Sequence, residues 1–172
     1  KGAWHYVRGL AFIGKGQLDQ AQKELAAVEK IAANPALDYT LFSPNTAAAI
    51  LAIAPEVLRG ELAAAKGNYD TAIMHLDRAV RLEDGLVYTE PTEWHYPPRL
   101  ALGALLMKAG KPAQAETVYW QNLSRYPDNG WALFGLAEAL KQQHKTDEAE
   151  LIEARFKKAW RGADIKLTAS RL

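Results

Sequence analysis

Small residues recur along the chain at a fixed interval. Gly9, Gly16 and Ala21 stand seven and five positions apart, and the same steps return at Gly60, Gly67 and Ala72, at Gly103, Gly110 and Ala115, and at Ala137, His144 and Ala149. The spacing predicts a helical hairpin for each copy. The first small residue lets one helix approach its neighbour closely, and the second ends that helix in a left-handed or turn conformation. The alanine then permits tight crossing by the second helix, with Leu25, Leu76 and Tyr119 supplying bulk one turn later. His144 stands where the other copies carry glycine, at some cost. One hairpin cannot cover both of its apolar faces, so the copies are expected to stack.

The copies are not evenly spaced. From Gly9 to Gly60 the interval is 51 residues, from Gly60 to Gly103 it is 43, and from Gly103 to Ala137 it is 34. With the shortest as the period, insertions of 17 and 9 residues precede the second and third copies. The first insertion, about 34–50, offers Ser43 or Asn45 as a helix cap with Pro44 in the first turn. It reads as a loop and an added stretch of helix running to Lys66, broken near residues 51–54 by Pro55. The second, about 84–95, leads into Tyr96, two prolines and Arg99, and gathers Tyr88, Trp94 and His95 beside Glu90 and Glu93. Aromatic and arginine side chains are the commonest binding hot spots. Two readings stand open for it: a ligand-facing loop, or a plug in which Trp94 and Tyr96 fill the seam between the second and third repeats. Past Trp160, residues 161–172 read as an extended tail in which Ile165 and Leu167 alternate with polar neighbours and contact one surface.

Composition supports an all-helical chain. Among 172 residues there are 31 Ala and 22 Leu against 6 Val and 7 Ile, a bias toward helix and away from sheet. The formal charge is +1, with both signs mixed along the chain, so no basic field is expected to hold nucleic acid. The longest apolar run, Ala47 to Pro55, is about half a membrane span. Zero Cys excludes disulfides and thiol chemistry and leaves the compartment open, cytoplasmic or periplasmic. The chain opens at Lys1 without a leader or initiator Met, which leads us to expect the C-terminal part of a longer protein.

Catalytic patterns are sparse. His5, His75, His95 and His144 fall in separate repeats, and no His pair has metal-ligand spacing. Glu90, Glu93 and His95 offer the one conceivable metal set. Gly14-Lys15-Gly16 resembles a phosphate loop only in fragment, at a helix end where glycine has a simpler use. The acidic start and basic end of the last helix, Asp147 to Lys158, follow the order that the helix dipole prefers. No catalytic residue, metal or cofactor is assigned.

The third copy, with Leu102, Gly103, Leu106, Gly110, Ala115, Tyr119 and Pro127, and the fourth, with Trp131 near its start, resemble the tetratricopeptide repeat. The resemblance covers about 4–33, 54–83, 96–127 and 130–160. It implies a single all-α domain over 1–172, a right-handed superhelix of about four hairpins with two insertions, bacterial in origin. It also implies a scaffold whose first helices line a concave groove for a peptide or partner protein. The groove positions carried over are Tyr6, Leu10 and Ile13; Val57, Glu61 and Ala64; Leu100, Ala104 and Met107; and Trp131, Phe134, Glu138 and Lys141. Tyr6, Leu10, Leu58, Pro97 and Ala101 replace the Lys, Asn and Arg clamp that grips chaperone C-termini in one subclass, so an apolar peptide fits better than a terminal carboxylate. Arg8, Arg59 and Arg99 lie at the groove edge, where ion pairs to Glu61 or Glu93 are expected. Partner contact is thus expected at Tyr6, Arg8, Leu10, Arg59, Glu61, Tyr88, Trp94, His95, Tyr96, Arg99, Met107, Trp131 and Phe134. Trp4 and Tyr6 on the first helix would serve a homodimer. The alternative is a small-molecule or metal pocket formed by residues 84–99 and the groove.

Overall fold

The turn residues set the architecture. Gly16, Gly67 and Gly110 have φ of 70°, 79° and 70°, and His144 is forced to 59° at the matching place. Each such residue joins two helices. In the computed structural model, which describes residues 1–40 and 44–171, these are α1 (Gly2–Gly14) with α2 (Leu18–Ala32) and, after a short α3 (Ala47–Leu51), α4 (Ile53–Ala65) with α5 (Tyr69–Asp84). Two further hairpins follow, α6 (Pro98–Lys108) with α7 (Pro112–Arg125) and α8 (Gly130–Gln142) with α9 (Thr146–Ala159). The described residues contain no strand. Four hairpins therefore lie where the spacing places them, and the fold is all-α.

The first insertion departs from expectation at its cap. Ser43 lies outside the described residues. Thr46 caps α3, its hydroxyl accepting from the Ala49 amide at 3.1 Å. Asn45 is instead buried and engaged with the second insertion. The break occurs at Ala52, between α3 and α4, because Pro55 has no N–H for the Leu51 carbonyl and its ring crowds that turn.

Two compact units divide the chain, Lys1–Pro98 and Arg99–Leu172. In the first, α1 packs on α2 and α4, and α4 on α5. Gly9 faces the Leu58 side chain and Glu24 Cβ, while Gly60 faces Leu76. Ala21 and Ala72, the crossing alanines, are fully buried with Val28, Ile53, Leu58 and Leu76.

In the second unit the Tyr119 ring projects from α7 between Gly103 of α6 and Gly135 of α8. A methyl group on either glycine would overlap the ring. Asn129 caps α8 by accepting from the Trp131 and Ala132 amides at 3.1 and 3.4 Å, and its amide donates to Asn122 at 3.1 Å. Beyond α9 the tail folds back. Trp160 Nε1 donates to the Ile165 carbonyl at 2.9 Å, Leu167 is buried, and the Ser170 hydroxyl lies 2.6 Å from the Tyr119 hydroxyl and 3.2 Å from the Leu100 carbonyl. Ile165 itself is exposed, so only Leu167 of the expected pair makes the contact. Ile165 takes part through its backbone carbonyl, which accepts from Trp160, and leaves its side chain to solvent.

Two stability changes follow. Gly135→Ala gains about 1 kcal/mol of helix propensity but over-packs a ring held from both sides, a loss of about 1–3 kcal/mol. A net loss of up to ~2 kcal/mol is expected in urea unfolding, and an unchanged midpoint would show that the ring can yield. His144→Gly relieves a left-handed strain of about 1–2 kcal/mol against a glycine entropy cost of ~0.5–1 kcal/mol. Its melting temperature should rise, and a fall would count against strain at this turn.

Candidate functional site

The two insertions meet in the first unit through Asn45. Its Nδ2 donates to the Val87 carbonyl at 2.8 Å and to Glu93 at 2.5 Å, and its Oδ1 accepts from the Val87 amide at 2.8 Å. Held in this way, the second insertion lays Trp94 on Tyr6, with ring centroids 5.2 Å apart. His95 stands edge-on to Tyr6 at 6.1 Å and is itself exposed. Trp94 and Tyr6 are 6% and 3% exposed, so the aromatic expected at the groove position of the first hairpin is covered by the chain's own loop. Burial first, then the Glu61 carboxylate and Tyr96, push the Tyr6 phenol far above its ordinary range. Trp94 Nε1 has no hydrogen-bond partner among the described residues, and the ring acts as an apolar plug on the first hairpin. Tyr96 is half-buried, and Tyr88 is exposed with its hydroxyl on Glu90.

Arg8 and Arg59 pair with acidic residues other than Glu61 and Glu93. Arg8 reaches Glu24 of α2 at 3.4 Å and lies over the rings of Trp4 and Phe12, 4.1 and 5.4 Å from their centroids. Arg59 spans Glu29 of α2, at 2.8 Å, and Glu56 of its own helix. Glu24 and Glu56 are buried carboxylates, each also held by a histidine Nδ1, His5 at 2.7 Å and His75 at 2.8 Å. A buried carboxylate needs charged partners more urgently than an exposed one, and it draws the nearest cations. Glu93 is taken by Asn45. Among the described residues no group of three His, Cys, Asp or Glu stands close enough to hold a metal ion, so Glu90, Glu93 and His95 do not gather into a metal set. Leu10 is half-buried on α1 and Glu61 buried on α4.

In the second unit Arg99 is buried near the start of α6 and Met107 is half-buried near its end. On α8, Trp131, Phe134, Glu138 and Lys141 follow one another at helical spacing along one stripe. Trp131 meets Trp160 edge-on at 5.4 Å, Phe134 meets Phe156 at 5.6 Å, and Phe156 stacks with Trp160 at 5.8 Å. All four rings are half-buried. Below them Lys141 bridges Glu138, at 2.9 Å, and Glu153. Glu153 raises the lysine's pKa more than Glu138 does, and the lysine holds Glu153 below the usual carboxylate range. Trp131 and Phe134, expected at the groove from the sequence, are thus joined by Phe156 and Trp160, which were not. Their four-residue spacing on the last helix was a usable signal. Asn45 as a clamp and Ser170 as an anchor were likewise not expected, for no local pattern marks them.

A sequence model of the tetratricopeptide repeat matches residues 106–155, from within α6 to within α9. No curated protein matches the chain. Among solved structures, the crystal structure of MamA protein is similar at a TM-score of 0.53 and 18% identity, over 97% of this chain and 97% of that one. The likeness is one of fold. Residues 106–155 thus carry the tetratricopeptide-repeat pattern, and the four hairpins with their left-handed turns share the all-α fold of the MamA structure.

Proposed function

We propose that the chain is a protein-interaction scaffold that takes an extended, apolar peptide on the α6 and α8 face of its second unit. The observation that carries this reading is the stripe of Trp131 and Phe134, backed by Phe156 and Trp160, with each ring still partly open to solvent. A rigid helical face presenting half-exposed aromatics offers area at little entropic cost. Met107 adds an adaptable apolar contact, and Glu138 and Lys141 form a polar border that neutralises itself. In the first unit Tyr6, of the corresponding row, lies beneath the loop carrying Trp94, His95 and Tyr96. Partner access there depends on that loop, with Arg8, Arg59 and Tyr88 outside the covered ring. A contact between two copies through Trp4 and Val7, both exposed on α1, is the second reading.

Selection of a random peptide library on the immobilised chain tests the first reading. Peptides rich in apolar and aromatic residues should be enriched, and Trp131→Ala or Met107→Glu should weaken the best of them at least about tenfold, the equivalent of ~1.4 kcal/mol. No enrichment, or selected peptides indifferent to both substitutions, sinks it. Trp94→Ala should behave differently. Removing a buried plug ought to destabilise the first unit by roughly 3–5 kcal/mol and leave peptide capture by the second unit unchanged. If capture is lost while the melting temperature holds, Trp94 belongs to the binding surface. Sedimentation at rising concentration, with Trp4→Glu as control, reads the contact between copies.

A further inference from the structure

The tail meets the second unit at one defined point. Tyr119 springs from α7, its ring passes between Gly103 and Gly135, and the hydroxyl at its tip contacts Ser170 at 2.6 Å. Ser170 therefore stands at the gap between α6 and α8, on the side away from α7. That is the side on which Leu100 begins the α6 stripe, and its carbonyl takes the second Ser170 contact at 3.2 Å. Ser170 is 2% exposed and Leu167, three residues earlier, 7%. Thr168 between them is exposed. An extended strand turns alternate residues outward, and these two anchors are three residues apart in an irregular stretch that forms no strand among the described residues. Upstream, the Trp160 to Ile165 bond and the Ala163 to Trp160 turn fix its course. The segment is held as a docked peptide is, by an apolar side chain and a small hydroxyl group, rather than as part of a helix bundle.

We infer that the α6 and α8 face is a receptor for an extended Leu-x-x-Ser segment, filled in this chain by its own residues 167–170. The inference deepens the scaffold reading and rests on it. It assigns Tyr119 and the Leu100 carbonyl as the polar recognition pair, and it requires a small hydroxyl residue because Gly103, Gly135 and the Tyr119 ring leave the tip of the gap crowded. It also makes the tail a competitor. A tethered segment acts at an effective concentration on the order of millimolar, so an outside peptide with the same two anchors displaces it only at comparable concentration or with added contacts. The Trp131 and Phe134 surface is placed to supply those contacts.

The absence of cysteine allows a single dye at Thr168→Cys to report the tail alone. Fluorescence anisotropy should show a held tail in the full chain and a freely moving one after Leu167→Asp with Ser170→Asp. The released variant should then bind a labelled synthetic peptide of residues 163–172 at least about tenfold more tightly than the chain with its native tail. Adding Tyr119→Phe to the released variant should cut that binding severalfold. A released variant with native helicity and a cooperative melt that takes up no such peptide overturns the inference, as does equal uptake of a scrambled peptide. If the double variant melts out, Ser170→Ala in the dye-labelled chain serves instead: anisotropy must fall, and an unmoved tail overturns the inference. Library-selected peptides that bind the released variant while residues 163–172 do not refute the tail's role and leave the scaffold reading standing.

Discussion

Close approach of helices at residues without side chains is the constraint on which the remaining structure depends. Gly60 against Leu76 and Gly103 against Tyr119 are the same contact in two hairpins, sixteen residues apart in each. The bulky residue occupies the space that a Cβ would fill, so the first helix of the pair settles directly on the second. In the second unit the constraint is doubled, because Gly135 receives the other side of the same ring. The tyrosine is thereby locked by three helices. Its hydroxyl is delivered to a fixed point beyond them, and Ser170 meets it there. A leucine in the place of Tyr119 would fill the gap and carry no polar group through it.

Charge in this molecule is spent mainly on holding helices together. Glu24 and Glu56 are buried, and an unpaired carboxylate at such depth would be strongly destabilising, by about 3–5 kcal/mol where one partner of a buried pair is removed. Each is answered by a histidine nineteen residues away and by an arginine. The order is inverted between the hairpins: the histidine is on the first helix in one and on the second in the other. Arg59 extends the second network to Glu29 of α2, so that adjacent hairpins of the first unit share a cation. Histidine beside carboxylate is also the ordinary equipment of acid–base catalysis, yet here both pairs lie between packed helices and their spare valences go to arginine.

The repeat was legible in the sequence because each of its positions has a physical requirement that few residues meet. A left-handed turn selects glycine, and a helix crossing selects alanine. His144 was recognisable as the exception for that reason, and its φ of 59° bears this out. Pro55 announced the break at Ala52 by the same kind of local rule. What could not be read were contacts between segments distant in the chain. Asn45 had every local mark of a helix cap, but its amide is satisfied by Val87 and Glu93, more than forty residues later, and Thr46 does the capping. Arg8 and Arg59 were assigned the acidic residues expected near the groove, whereas burial decided their partners, and burial is a tertiary quantity. The second insertion showed its aromatic character in sequence but not its target, Tyr6 of the first hairpin.

Both units cover part of a first-helix face with chain from outside the repeats, and the two covers differ in how firmly they are held. Over Tyr6, the second insertion is joined to the fold at both of its ends and pinned in the middle by three Asn45 hydrogen bonds. Its Trp94 buries an indole whose N–H finds no partner, so the ring has been committed for its apolar area alone. Over Leu100, residues 161–171 contribute one buried leucine and one buried serine. Burial of a leucine supplies roughly 1.5–3 kcal/mol, and neutral hydrogen bonds about 1 kcal/mol each. Ordering the backbone opposes these by about 1–2 kcal/mol per residue. A loop joined to the fold at both ends and pinned by three hydrogen bonds leaves only when its surroundings unfold, whereas a segment anchored through Leu167 and Ser170 can leave its site while the helices beneath it stay packed.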